Sequence, residues 1–129
     1  MPLIDTWAWT EYFLGTAAGA KVRPVIEGPD VATSIMSIAE LTDSHARDPR
    51  PGLEDKLAFI RSRGPILDVS QRAAVEAATV KWSQRRKGHG MGLADALVYA
   101  TAREHGLNVL TGDEGFTGLP GVDLFAAKR

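Results

Sequence analysis

Between Gly92 and Gly112 a helix-length amphipathic stretch runs straight into a strand-length apolar one. Leu93, Ala96, Leu97, Ala100 and Ala102 recur at helical spacing, Arg103, Glu104 and His105 fall near the end, and Gly106 follows, which is how a helix begins and stops. Asn108-Val-Leu-Thr111 is too brief for a helix and is bounded by glycines. It therefore reads as a buried strand that delivers Asp113 into the loop beyond it. One helix–strand unit thus carries two carboxylates, Asp95 at the helix start and Asp113 past the strand end. That pairing marks a candidate site.

The rest of the chain repeats the theme. Leu3-Ile4 reads as a very short strand, followed by helices over Trp7–Leu14 and roughly Ala17–Glu27, with Trp9, Tyr12 and Phe13 on the core side of the first. Val31-Ala-Thr33 is a second strand, and Ser37-Ile-Ala-Glu40 has the form of a capping box opening a helix towards Arg47. After the break at Asp48-Pro-Arg-Pro51-Gly52 comes a helix over Leu53–Arg63, with Leu53, Leu57 and Ile60 on one face. Pro65–Val69 is a third strand, and Ser70 caps a long helix to about Lys87 whose Val75, Ala78, Thr79 and Trp82 recur at helical spacing, which assigns Trp82 to the core. Val122-Asp-Leu124 is the last strand. Strands separated by helix pairs predict an α/β fold in three α/β/α layers with a short, mostly parallel five-stranded sheet.

Composition narrows the chemistry. At 129 residues the chain reads as one domain over 1–129, and 44% hydrophobic with 24% charged residues excludes a largely disordered chain. There is no cysteine, which removes disulfides, thiolate metal sites and cysteine nucleophiles together. The first residues carry no basic n-region and no run approaches the ~20 apolar residues of a membrane span, so a soluble, cytoplasmic protein with no membrane partner is expected. A net charge of −1 gives no global attraction to nucleic acid.

Local explanations exist for several of the charged residues. Asp5 suits the N-cap of the first helix, and Glu40 suits the return arm of a capping box. Arg85-Arg86-Lys87, the most basic cluster, either complements a helix C-terminus in solvent or forms a phosphate-contacting patch beside the site. Gly88-His-Gly90-Met-Gly92 follows a helix rather than a strand and lacks a Lys-Ser/Thr pair, so it is no phosphate loop and reads as a flexible connection.

Taken together, Asp5, Glu40, Asp95 and Asp113 share a pattern. Each lies just after a strand or early in the following helix, and a parallel sheet brings such positions to one edge. Like charges ~4 Å apart cost about 4 kcal/mol at intermediate dielectric, so a cluster of this kind needs protons or divalent cations. Oxygen donors without thiol or nearby imidazole select Mg²⁺ or Mn²⁺, the ions of phosphodiester hydrolysis.

Asp5-Thr6 after the first strand, Ser37-Ile-Ala-Glu40-Leu41, Asp95-Ala-Leu-Val-Tyr-Ala-Thr-Ala-Arg103 and Val109-Leu-Thr-Gly-Asp113-Glu-Gly-Phe116 together resemble the PIN-domain family, specifically the VapC-type toxins of prokaryotic toxin–antitoxin pairs. The resemblance covers essentially the whole chain. It implies a Mg²⁺- or Mn²⁺-dependent endoribonuclease acting on single-stranded RNA regions, dimeric, and restrained by a cognate VapB-like antitoxin. Carried over by motif, Asp5, Glu40, Asp95 and Asp113 are the acidic metal-binding and catalytic quartet, with Thr6 and Thr111 positioning it through their hydroxyls. Two positions depart from the family pattern. Trp7 stands where a small hydroxyl residue is common, and Gly115 where a further acid is common, with Glu114 beside it as a partial substitute.

Other classes fit less well. A PIN-like module that binds RNA or peptide without cutting leaves four intact acids unexplained. A receiver-type domain phosphorylated on Asp68 needs an acidic pair near the N-terminus, where only Asp5 stands, and a late lysine where Thr111-Gly-Asp113 stands. A haloacid-dehalogenase-type phosphatase needs a second aspartate two residues after Asp5, and Trp7 is there.

Overall fold

The structure, a computed structural model, describes residues 1–125. Among them the order is β1 (Leu3–Ile4), α1 (Thr6–Leu14), α2 (Ala17–Ile26), β2 (Ala32–Ser34), α3 (Ile35–Arg47), α4 (Leu53–Arg63), β3 (Ile66–Leu67), α5 (Gln71–Arg86), α6 (Leu93–Glu104), β4 (Val109–Thr111) and β5 (Val122–Leu124). A single 3-10 turn, Glu114–Phe116, follows β4. The expected α/β class holds, and the sheet is wholly parallel, in the order β3-β2-β1-β4-β5.

Strand alternation divides the interior into two cores. Leu3, Ala32 and Val109 join Ala73, Ala77, Met91, Ala96, Tyr99 and Phe116 on the α5–α6 side. Ile4 and Leu110, the next residues along their strands, join Trp9, Val22, Ile26, Leu41 and Ile60 on the other. This two-residue period, buried on both faces, is what a parallel sheet between helix layers requires. Trp9 is fully buried, stacks on Phe13 at 5.6 Å and donates its indole N–H to Thr33 Oγ1 at 3.2 Å, so its one polar atom is satisfied.

α5 corrects the sequence reading. Val75 and Trp82 are 69% and 50% exposed, while Ala73, Ala77 and Gln84 are buried. Both sets recur at helical spacing, and the alanine face lets α5 pack closely on α6, so the larger residues face solvent. Leu93, placed in the apolar stripe of α6, is likewise 50% exposed. The inward face of α6 is built from Ala96 and the run Val98–Ala102.

Candidate active site

The chain runs from β1 through β2 to β3 on one side and resumes at β4 on the other, so β1 and β4 flank the point where strand order reverses. Parallel sheets open a crevice there, at the carboxyl ends of the strands. Asp5 follows β1 directly, and Asp113 lies two residues beyond β4.

Asp5 is 1% exposed and caps α1, accepting the Ala8 N–H at 2.9 Å. The cap and the crevice position are the same position, so the local explanation and the functional one coexist. Burial pushes its carboxyl up to about 7, against hydrogen bonds from Thr111 and Ala8 and assisted by the charges of Asp113 and Glu40. Asp95, in the first turn of α6, is also pushed up to about 7 by burial, then by Asp113 and Asp5, by a hydrogen bond with the Asp113 carboxyl, and by Glu40. The four predicted acids thus share one electrostatic neighbourhood.

Thr111 links the first and last of them. Fully buried, its hydroxyl bonds the Asp5 carboxyl and accepts the Asp113 N–H at 3.0 Å. Asp113 Oδ1 in turn accepts the Gly115 N–H at 2.8 Å, which fixes its direction at the head of the 3-10 turn.

Glu40 arrives differently from the sequence expectation. β2 runs into α3 without a gap, Ser34 caps that helix through Met36 N–H at 3.0 Å, and Ser37 and Glu40 therefore sit inside it. No capping box forms between them. Instead Thr6 Oγ1 lies 2.5 Å from Glu40 Oε1 and 2.8 Å from Ser37 Oγ. A carboxylate only accepts, so Thr6 donates its one proton to Glu40 and receives that of the buried Ser37. Ser37, read from sequence as a cap, is a support for Glu40, and the spacing of three residues was the signal for both.

The donor set is chemically that of a hard divalent cation, with four carboxylates and neither thiol nor imidazole. As the side chains stand, no three His, Cys, Asp or Glu groups among the described residues are gathered closely enough to hold an ion. Asp5, Glu40 and Asp113 each commit one oxygen to a backbone or hydroxyl donor. Burial is the main cause that raises Asp5 and Asp95, and the repulsion among the acids that adds to it is the part of the arrangement that fits a cation, because positive charge would relieve it.

Both departures from the family pattern have a steric account. A Cβ on Gly112 would fall 2.2 Å from the Trp7 ring, so that indole lies against the turn after β4 and requires glycine there. A Cβ on Gly115 would meet Asp113 Oδ1 and Met91 Cα at 3.1 Å and Gly90 O at 3.2 Å, leaving little room for an acid. Glu114 is exposed at the start of the 3-10 turn. The glycine-rich connection is not free as read from sequence, since Met91 is fully buried and its N–H and that of His89 both bond within residues 84–91. Arg85, Arg86 and Lys87 are exposed, and Arg85 reaches Met91 O at 3.3 Å. Sequence reasoning missed Gln84, a buried amide directed at the Asp113 turn.

The model of the PIN domain family matches residues 3–122. Among solved structures, a toxin–antitoxin complex from Klebsiella pneumoniae is 25% identical, covering 95% of this chain and 96% of that one, with a TM-score of 0.70. FitAcB from Neisseria gonorrhoeae is 24% identical over 98% and 97% of the two chains at a TM-score of 0.71. Mycobacterium tuberculosis VapC20, a toxin that cleaves the Sarcin-Ricin loop, is 22% identical over 92% and 95% at a TM-score of 0.68. The curated proteins contain no significant match. Family model, sheet order and the carboxylate crevice agree, and the chain belongs to the PIN-domain family.

Proposed function

We propose that this chain is a Mg²⁺- or Mn²⁺-dependent endoribonuclease, the toxin of a type II toxin–antitoxin pair, hydrolysing phosphodiester bonds in single-stranded RNA. The observation that carries the reading is that β1, α3, α6 and the turn after β4 each bring one carboxylate to the same crevice, where Asp5 and Asp95 are driven towards protonation at neutral pH. Asp5, Glu40, Asp95 and Asp113 are the residues that would hold the cation. Bound there, such an ion would supply Lewis-acid chemistry to phosphodiester hydrolysis. Asp5, buried, and Asp95, partly buried, would supply negative charge once the cation displaced their protons. Thr6 and Thr111 hold Glu40 and Asp5 in fixed directions, and the Gly115 N–H does the same for Asp113. No side chain needs to act as nucleophile.

The proposed partner is an antitoxin-like protein, by likeness to a toxin–antitoxin complex, and association of two copies of the chain is proposed with it on the family resemblance alone. No helix among the described residues is long and apolar enough to cross a membrane, and action on cytoplasmic RNA is part of the proposal. The test is incubation of the purified, antitoxin-free chain with a mixed RNA pool and Mn²⁺, with and without EDTA, beside Asp95→Asn. Cleavage abolished by either treatment is the expected result. A second reading, a silent RNA- or peptide-binding module, draws on the spacing of these acids, since among the described residues no three metal-ligating side chains stand close enough to hold an ion, and RNA bound but uncut in Mn²⁺ would establish it instead.

A further inference from the structure

Gln84 is uncharged and belongs to none of the acidic motifs, yet it is 1% exposed on the face of α5 otherwise lined by Ala73 and Ala77. Its side-chain nitrogen is 2.8 Å from the Gly115 carbonyl oxygen and 2.8 Å from that of Thr117. Both partners only accept, so they require the NH₂ side of the amide and use both of its hydrogens. Burying a primary amide is unfavourable unless its bonds are made, and these two bonds account for its presence among alanines.

We propose that Gln84 is a positioning residue for Asp113, acting through Gly115. The inference rests on the nuclease reading above and deepens it. Asp113 Oδ1 is held by the N–H of Gly115, and Gln84 holds the carbonyl of that same residue. Glycine has the least conformational restraint of its own, so the two peptide planes that meet at Gly115, one carrying its N–H and the other its carbonyl, are ordered by what holds them. On one side that is the Gln84 amide; on the other the backbone of Gly90 and Met91 leaves little free space, a Cβ built on Gly115 falling within 3.2 Å of it. The neighbouring Arg85 bonds the Met91 carbonyl, so consecutive residues at the end of α5 brace both sides of the turn. A side chain at position 115 would crowd Asp113 Oδ1, Met91 Cα and Gly90 O, 3.1–3.2 Å from its Cβ. The amide clamp thus accounts for how the Asp113 turn is ordered without a second carboxylate.

The test is Gln84→Met, which keeps most of the volume and removes both donors, with Ile60→Val in the opposite core as a measure of lost packing alone. Mn²⁺ affinity is read by calorimetry and RNA cleavage by steady-state kinetics. Disturbing the support of a metal ligand costs roughly 10–100-fold, so Gln84→Met is expected to weaken Mn²⁺ about tenfold and lower kcat while KM for RNA stays within about twofold. Gln84→Glu, which turns an acceptor towards two carbonyls, falls at least as far. Should Gln84→Met not fold, Gln84→Asn, one methylene short of its partners, takes its place with the same outcomes. Mn²⁺ affinity moved no further than in Ile60→Val overturns the positioning role alone. A parent chain that neither binds Mn²⁺ nor cuts RNA overturns the nuclease reading, and this inference with it.

Discussion

The crevice between β1 and β4 and the outer face of α5 both began as patterns of spacing, and they ended on opposite sides of the surface. In the crevice, polar residues are buried: Asp5, Ser37 and Thr111 are at most 1% exposed. On α5, apolar residues are exposed, with Val75 at 69% and Trp82 at 50%, and two cations flank the Trp82 ring. Lys81 Nζ stands 5.0 Å from the Trp82 ring and the Arg85 guanidinium 5.7 Å from it. Each region inverts the ordinary rule of burial, and such inversions are the informative ones. In the crevice, hydrogen bonds from fixed donors offset only part of the cost of burying Asp5, whose carboxyl is still pushed up to about 7. The helix face tolerates its exposed ring through flanking charge.

The sharpest way to break the first half of this comparison is to remove the buried charge while keeping its shape. Asp5→Asn retains the cap on α1, since asparagine serves there as well as aspartate. Cleavage should fall by more than the roughly 100-fold that loss of a supporting residue costs. Stability should move the other way. The Asp5 carboxyl titrates at about 7 in the fold against 3.8 when unburied, so between those values the folded chain binds more protons than the unfolded one. Its stability therefore falls as pH rises through that window, and Asp95 contributes with the same sign. Without metal, the Tm of Asp5→Asn minus that of the parent should grow from pH 5 to pH 8, by several degrees. Mg²⁺ should narrow the gap by stabilising the parent alone. A gap independent of pH would mean that Asp5 is not held in a repulsive, buried setting.

How legible each region was in sequence follows from the same physics. Element types and order could be read because glycines, prolines and caps punctuate them: Ser70 caps α5 and Gly106 ends α6 as expected. The acids could be found because parallel topology forces residues after β1 and β4 to one edge. Depth could not be read. On α5, Ala73 and Ala77 recur at the same helical period as Val75 and Trp82, and hydrophobicity favours the wrong stripe, because close approach of α6 selects small side chains over large ones. Gln84 was invisible for a related reason. Its partners are the backbone carbonyls of Gly115 and Thr117, about thirty residues away, and a backbone acceptor leaves no mark in sequence. Ser37 was legible as important and misassigned, since β2 ran one residue further and moved the cap to Ser34.

The second half of the comparison concerns whether the cations of α5 serve the crevice. Arg85 is bonded to Met91, which adjoins Gly115, so the basic cluster is connected to the Asp113 turn. If Arg85 and Arg86 contact phosphates, Arg86→Ala and the pair Arg85→Ala/Arg86→Ala should weaken RNA binding at low salt. Each lost contact should reduce the slope of log affinity against log salt by about 0.7. Cleavage per bound complex should stay near that of the parent for Arg86→Ala. An unchanged slope would return both residues to a solvated helix end, where cations complement the helix dipole and nothing more.

The smallest expected effect is also the one that separates the two regions most directly. Trp9 and Trp82 are the same side chain on two helices, one fully buried against Thr33 and Phe13, the other half exposed between Lys81 and Arg85. Trp9→Ala should cost about 3–5 kcal/mol, the usual loss for a large aromatic removed from a core. Trp82→Ala removes little buried area and two weak cation–ring contacts, so chemical denaturation should show a change within about 0.5 kcal/mol. Its RNA affinity is then a clean readout. A loss of about 1–3 kcal/mol in binding with stability unmoved is what base stacking on the exposed ring produces. Equal RNA affinity, with a drop in apparent mass by sedimentation, assigns the same ring to contact between copies of the chain.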